Sequence, residues 1–296
     1  MKTLLTHPTI PATGNGDLSA VKDLMSDCLR MTSLASMVDE IGGAVYGGKM
    51  LRARLALKIG SASGAQRDTL QRAAAAVEMV HAASLLHDDV IDGGHLRRGS
   101  PSFWKKKGVS GAILLGDLMV CRAMQLLSGK GHEHLSLLLV RLAGEMCDAE
   151  VEQELMTHGT TRSWEKCVSI ARRKTGSLFA FAAAAAAADG AGKKQTDAFL
   201  EAGYQIGTAY QLADDLMDAC GELVRDGKDL GKDAPKGKLT SISASGGSIA
   251  LARQSIKTLC ATSSALLEPW DAVKCGWDEY LRTDLGPVVS LFAGEM

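Results

Sequence analysis

An all-α, single-domain bundle of about ten or more helices is the fold this sequence predicts. Three observations predict it. Apolar residues recur mainly at helical spacing from Leu18 onward, and no alternating apolar–polar run persists. Six prolines and 4% aromatic residues suit helices better than a β-sandwich. The 46% of hydrophobic residues in 296 can fill one large core, and neither a repeat nor a linker divides the chain.

Taken in order, residues 1–16 read as a flexible arm with two prolines, and 17–296 as the folded domain. The apolar pattern predicts helices over 18–45, 49–61, 66–92, 110–128, 132–158, 163–173, 174–188, 194–219, 247–266 and 270–284. Breaks fall at GSASGA, GGHLRRGSP, SGKGHEH, HGTTRS, DGAGKK and DGKDLGKDAPKGK, all rich in glycine or polar residues. The alanine run 182–188 favours helix strongly, and its small side chains let a neighbouring helix approach closely.

A net charge of −1 argues against a nucleic-acid partner, which calls for a basic excess or stripe. Seven scattered cysteines without a CxxC pair read as reduced thiols in a cytoplasmic protein. The N-terminus lacks an apolar stretch of signal length. The apolar run 178–188 is too short to span a bilayer, so a soluble protein without a membrane anchor is expected.

The stretch LHDDVIDGGHLRRGSP (86–101) sets three aspartates beside two arginines. On a helix Asp88 and Asp92 share one face, with Asp89 beside them. Clustered carboxylates repel and lose hydration unless a cation compensates. Oxygen-only ligands suit Mg²⁺, which keeps waters and shares phosphate oxygens. Taken alone, a metal site and a solvated acidic helix end are both open. YQLADDLMD (210–218) then repeats the spacing with Asp214, Asp215 and Asp218, again at the end of an apolar helix. Two such clusters facing each other could hold several Mg²⁺ ions around a diphosphate. Arg97 and Arg98 follow the first cluster. Lys228, Lys232 and Lys238 follow the second, while Lys174 lies in KTG and Lys49 and Arg52 in GGKMLR. Such cations are natural partners of phosphate oxygens.

Other motifs fail on their details. GGAVYGGK has Walker-type spacing, but Met50 follows Lys49 and no strand precedes it. Glu78 and His81 form a single ExxH, whereas a di-iron bundle needs two. GHEH (131–134) is not HExxH. Lone histidines such as His87 and His95 are more often packing residues than ligands.

With these residues in view, the chain resembles the trans-isoprenyl diphosphate synthases, the polyprenyl synthetase family, from about Gly47 to Thr240. GGKMLR resembles GGKRxRP, departing at Met50 and Ala53. HDDVIDGGHLRRGSPS resembles the first aspartate-rich motif with RRGxP. KTG and YQLADDLMD match later motifs, and GKDLGKDAPKGKLT (227–240) matches GKxxGxDxxxGKxT. The resemblance implies the isoprenoid synthase fold, an all-α bundle around a deep central cavity, as a homodimer. It implies head-to-tail condensation of an allylic diphosphate with isopentenyl diphosphate, with three Mg²⁺ ions per active site. Asp88, Asp89, Asp92, Asp214 and Asp218 would hold metal, supported by Asp215. Arg97, Lys174 and Lys228 would bind the allylic diphosphate, with Lys238 among the substrate-binding cations. Lys49, Arg52, His81 and Arg98 would bind isopentenyl diphosphate. Thr175 and Gln211 would line the reacting carbons, and Lys174, Thr175, Gln211, Asp88 and Asp214 would form the catalytic set.

Ala83 and Ser84 lie one turn before Asp88, where a turn rises about 5.4 Å, close to one isoprene unit. In the resembled family aromatic side chains there accompany short products. Small residues here therefore imply a product longer than C15, with C20 as the alternative. Two rival readings are a class I terpene cyclase and a non-catalytic subunit of a heteromeric synthase. The first normally lacks a DDxxD-type second motif, and the second tends to lose aspartates that this chain keeps.

Overall fold

The computed structural model describes residues 15–156, 163–187, 191–220 and 239–293. The helices are α1 (Asn15–Arg30), α2 (Val38–Tyr46), α3 (Leu51–Ser63), α4 (Arg67–Ile91), α5 (Phe103–Leu126), α6 (Glu133–Met156) and α7 (Trp164–Ala171). They continue as α8 (Ser177–Ala185), α9 (Lys193–Cys220), α10 (Ser241–Ala244), α11 (Ile249–Ala265), α12 (Asp271–Tyr280) and α13 (Gly286–Ala293). The ribbon of β1 (Leu96–Arg97) and β2 (Ser100–Pro101) is the only sheet among the described residues.

The expected single helix over 18–45 is two. Thr32 breaks it by turning its hydroxyl back to the Leu29 carbonyl at 2.6 Å and accepting from the Leu34 N–H at 3.1 Å. α5 starts at Phe103, earlier than expected, and bends at Gly108, whose φ of 81° is not helical. The expected boundary between 173 and 174 is a π-helical turn, Arg172–Gly176, that joins α7 to α8. A second π turn, Leu281–Leu285, carries α12 into α13, beyond the expected end at 284. Asn15 and Gly16 are already helical, so the arm's expected boundary at 16 falls inside α1.

The bundle is organised around α8. Every residue of α8 is buried, as a helix apolar on all sides requires. It packs on α3, α4, α6 and α9. Glycines on α9 make the closest contact possible. A Cβ on Gly203 would lie 2.5 Å from the Ala180 Cα, and one on Gly207 2.6 Å from the Gly176 Cα. This contact presses the Arg172–Gly176 turn against the helix that carries Asp214 and Asp215.

The end of the chain is stitched to the start of α3. Tyr280 Oη donates to the Leu51 carbonyl at 3.0 Å. Lys58, buried, reaches Glu279 at 3.2 Å and Asp284 at 3.1 Å. Arg54 bonds the Lys49 carbonyl at 3.0 Å through Nε and contacts Asp284 at 3.4 Å through Nη1.

One flank differs from the apolar-inside pattern. Leu137, Val140, Val151 and Leu155 of α6 point outward at helical spacing, joined by Val109, Ile113 and Leu114 of α5. By length and composition α5 could cross a membrane, and 33% of its apolar stretch is buried in the molecule.

Candidate active site

The acidic end of α4 is tied to the ribbon. Asp89 is buried and takes a two-pronged contact from Arg97, Nε to Oδ2 at 2.7 Å and Nη2 to Oδ1 at 2.8 Å. Arg98 and Gly99 both have positive φ, 52° and 72°, between the paired residues Arg97 and Ser100. That is a two-residue turn of the kind that fits strand twist. It points successive arginines apart: Arg97 goes to Asp89, while the Arg98 guanidinium lies against Gly47 and Gly48. A Cβ on Gly48 would sit 2.8 Å from Arg98 Nη2. The GG and RRG motifs thus fit each other directly.

Asp88 faces a different neighbourhood. Burial pushes its carboxyl up to about 6, with Glu150 and Asp92 adding repulsion and Lys174 and Arg97 opposing the rise. Lys174, in the π turn, contacts Glu150 at 2.5 Å and donates to Gln153 Oε1 at 2.8 Å. It also lines a small pocket of about 10 Å³, room for little more than a water, with Gln153, Ile170, Ala171, Gln211, Asp215 and Leu239. Lys174 therefore stands between the α4 carboxylates and those of α9. The pocket is smaller and more polar than the deep cavity implied by the sequence resemblance. Alanine-rich faces of α4 and α8, Ala76 and Ala83 among them, are fully packed instead of lining a gap.

On α9, Asp214 and Asp218 are partly exposed one turn apart, whereas Asp215 is buried. Asp215 accepts from Gln211 Nε2 at 2.8 Å and from the Ser241 N–H at 2.7 Å. Its carboxylate joins α9 to α10. Gln211 Oε1 in turn accepts from the Thr175 hydroxyl at 2.5 Å. Lys174 and Gln211 line the pocket, and buried Thr175 holds Gln211 from behind.

The third basic group stands at the start of α3. Met50, at φ 50°, makes the sharp entry between Lys49 and Leu51. Arg52, read from the sequence as facing a phosphate, is only 7% exposed, with its guanidinium 4.7 Å over the Phe179 ring. Its charge is disfavoured by burial and supported by Glu78. His81 is partly exposed, one turn beyond Glu78. Ala83 is buried, and the Ser84 hydroxyl is returned to the His81 carbonyl at 2.9 Å. Lys228 and Lys238, with most of 227–240, lie outside the described residues.

Sequence reasoning missed Glu150 and Gln153, which hold Lys174. Their i,i+3 spacing on α6 was a signal, but nothing in sequence tied that face to KTG. It also set Glu78 aside as half of an absent di-iron site.

The sequence profile of the polyprenyl synthetase family matches residues 34–260. This chain belongs to that family. It is 33% identical over 177 residues to the geranylfarnesyl diphosphate synthase of Methanosarcina mazei, spanning 58% of each chain. It is 31% identical over 214 residues to the octaprenyl diphosphate synthase of Haemophilus influenzae, 71% of this chain and 65% of that one. The aligned stretches thus span about three fifths of the curated relatives. Among family structures, the polyprenyl synthase of Caulobacter crescentus, complexed with calcium and isoprenyl diphosphate, superposes with a TM-score of 0.71. Identity there is 27%, over 94% of this chain and 93% of that one. The geranyltranstransferase of Thermotoga maritima gives 0.75 at 24% identity, over 91% and 98% of the two chains, which shows the shared all-α fold.

The donor set fits a hard cation. No three carboxylate, imidazole or thiol groups converge among the described residues. Mg²⁺ does not require that, since it takes one or two carboxylates and completes its shell with water and substrate oxygens. The raised Asp88 carboxyl, crowded by Glu150 and Asp92, marks negative charge that a cation would relieve.

Proposed function

We propose that this chain is a Mg²⁺-dependent prenyltransferase. It joins an allylic diphosphate head-to-tail to isopentenyl diphosphate, giving an all-trans polyprenyl diphosphate longer than C15. The observation that carries the reading is Lys174, set between the Asp88 neighbourhood on one side and Gln211 and Asp215 on the other. Family membership and the isoprenyl diphosphate bound by the Caulobacter relative support it.

In this reading Asp88, Asp89, Asp92, Asp214 and Asp218 hold the metal, with Asp215 fixing the α9 cluster through Gln211 and Ser241. Mg²⁺, expected as three ions held by these carboxylates, would supply positive charge to the leaving diphosphate. Lys174 and Arg97 add fixed donors as the allylic C–O bond breaks and its electron pair leaves with the diphosphate. For Arg97 and Asp89 to meet substrate and metal, the fork between them must open. Lys228 and Lys238 complete the cations. Lys49, Arg52, Arg98 and His81 place isopentenyl diphosphate so that its double bond attacks the allylic cation, beside Thr175 and Gln211. The proton lost afterwards goes to the released diphosphate. Burial keeps water from the cation.

Ala83 and Ser84, small and on the α4 face before Asp88, support a long product. The named relatives make products of several lengths, so the chain keeps C20 as its nearest alternative. The outward apolar stripes of α5 and α6 support a homodimer that covers them. Six unpaired cysteines among the described residues suit a cytoplasmic location. The test is incubation with Mg²⁺, isopentenyl diphosphate and C5, C10 or C15 allylic diphosphates, with products weighed by mass spectrometry. Diphosphate release without isopentenyl diphosphate indicates a cyclase instead. No turnover with any primer indicates a non-catalytic subunit.

A further inference from the structure

Glu78 is a buried carboxylate in the middle of α4, with no place in the chemistry above. Its Oε1 accepts from the Ala53 N–H at 3.0 Å; burial disfavours its charge, while the Arg52 guanidinium and the nearby Ala53 and Arg52 N–H groups favour it. These are the second and third residues of α3, whose own N-cap residue, Met50, supplies no side-chain acceptor. A helix start has several N–H groups without partners and a partial positive charge, and Glu78 satisfies both from a neighbouring helix. The same carboxylate is the largest favourable charge acting on the buried Arg52, whose Nε has no hydrogen-bond partner. It is felt by Arg98 as well. Around it, Tyr280 holds the Leu51 carbonyl and Arg54 the Lys49 carbonyl. The Gly47–Arg52 turn is thus gripped at successive backbone positions, with the Glu78 carboxylate against the first turn of α3.

We infer that Glu78 is a positioning residue for the isopentenyl diphosphate side of the site, fixing the Lys49–Arg52 turn through the first N–H groups of α3. The inference rests on the proposed prenyltransferase reading for its substrate and on geometry alone for the capping. A carboxylate suits the place because the Ala53 N–H bonds it and the Arg52 guanidinium and N–H favour its charged form. A carboxamide of the same shape offers one acceptor and turns a donor toward the other N–H.

The test is Glu78→Gln, measured in two ways on the full chain. Steady-state kinetics should show KM for isopentenyl diphosphate raised about tenfold or more, the size of one lost charge-assisted hydrogen bond. KM for the allylic diphosphate should stay within about twofold, since its site on Lys174 is built by other helices. Hydrogen exchange followed by mass spectrometry should show faster exchange over 49–55 and unchanged exchange in the peptide covering 103–126. Equal changes in both KM values, or no change in either, would overturn the inference. Should the unmodified chain fail to turn over, the functional reading falls by itself. Exchange then still decides for Glu78: unchanged protection over 49–55 overturns the capping role.

Discussion

Asp88 shows how one residue carries both cost and use. Its folded-state pKa, about 6, lies above the ordinary 3.8 because of burial and its acidic neighbours. The metal-free fold therefore gains most from Asp88 at acid pH. That gain is lost as pH rises from about 4 to about 6, and stays lost above. Since a cation takes the ionised carboxylate, Mg²⁺ with inorganic diphosphate should raise Tm at about pH 7.5 but hardly at about pH 5. An equal rise at both pH values contradicts the assignment. Asp88→Ala should leave the fold intact and lower kcat by orders of magnitude, read in the same condensation assay. A kcat within a few-fold of the parent would remove Asp88 from the site. The acid and base content of this centre was legible from residue types alone. Its pairing was not: nothing in RRG says that one arginine turns to Asp89 and the next to Gly48, because the ribbon's left-handed turn decides it.

At the scale of elements, helix periodicity predicted α4 and α9 well, since long amphipathic patterns survive tertiary packing. It failed where backbone bonding competes. The Thr32 hydroxyl splits one predicted helix, one π turn joins the two predicted to meet at 173/174, and another carries α12 past its predicted end at 284. The α8–α9 contact belongs to this scale. Gly207→Ala places a methyl against Gly176 and should cost about 1–3 kcal/mol, a lower Tm by calorimetry, as for other overpacked cores. A Tm equal to the parent's would show that the helices part freely. On α4, Ala83→Phe tests the tail's path. Product mass should fall by one or more isoprene units while turnover persists; unchanged mass would place the tail elsewhere.

At the scale of the molecule, the all-α architecture was readable from patterning and composition, whereas the outward apolar stripes were hidden inside an ordinary amphipathic count. On α6 Leu137 is 72% exposed and Leu155 77%. Exposure of that size on one seam suits a two-fold partner. The double substitution Leu137→Glu with Leu155→Glu should halve the mass measured by light scattering after gel filtration. An unchanged mass would mean that these stripes meet no second copy.

The stitching of Tyr280 and Asp284 onto the first turn of α3 joins positions 229 and 230 residues apart. During synthesis every signature segment leaves the ribosome before the clasp that finishes the Lys49 turn. A nascent chain halted ahead of Tyr280 would carry the full set of recognisable motifs and still lack a seated Lys49 turn. That turn is seated only once Tyr280 and Asp284 have been made.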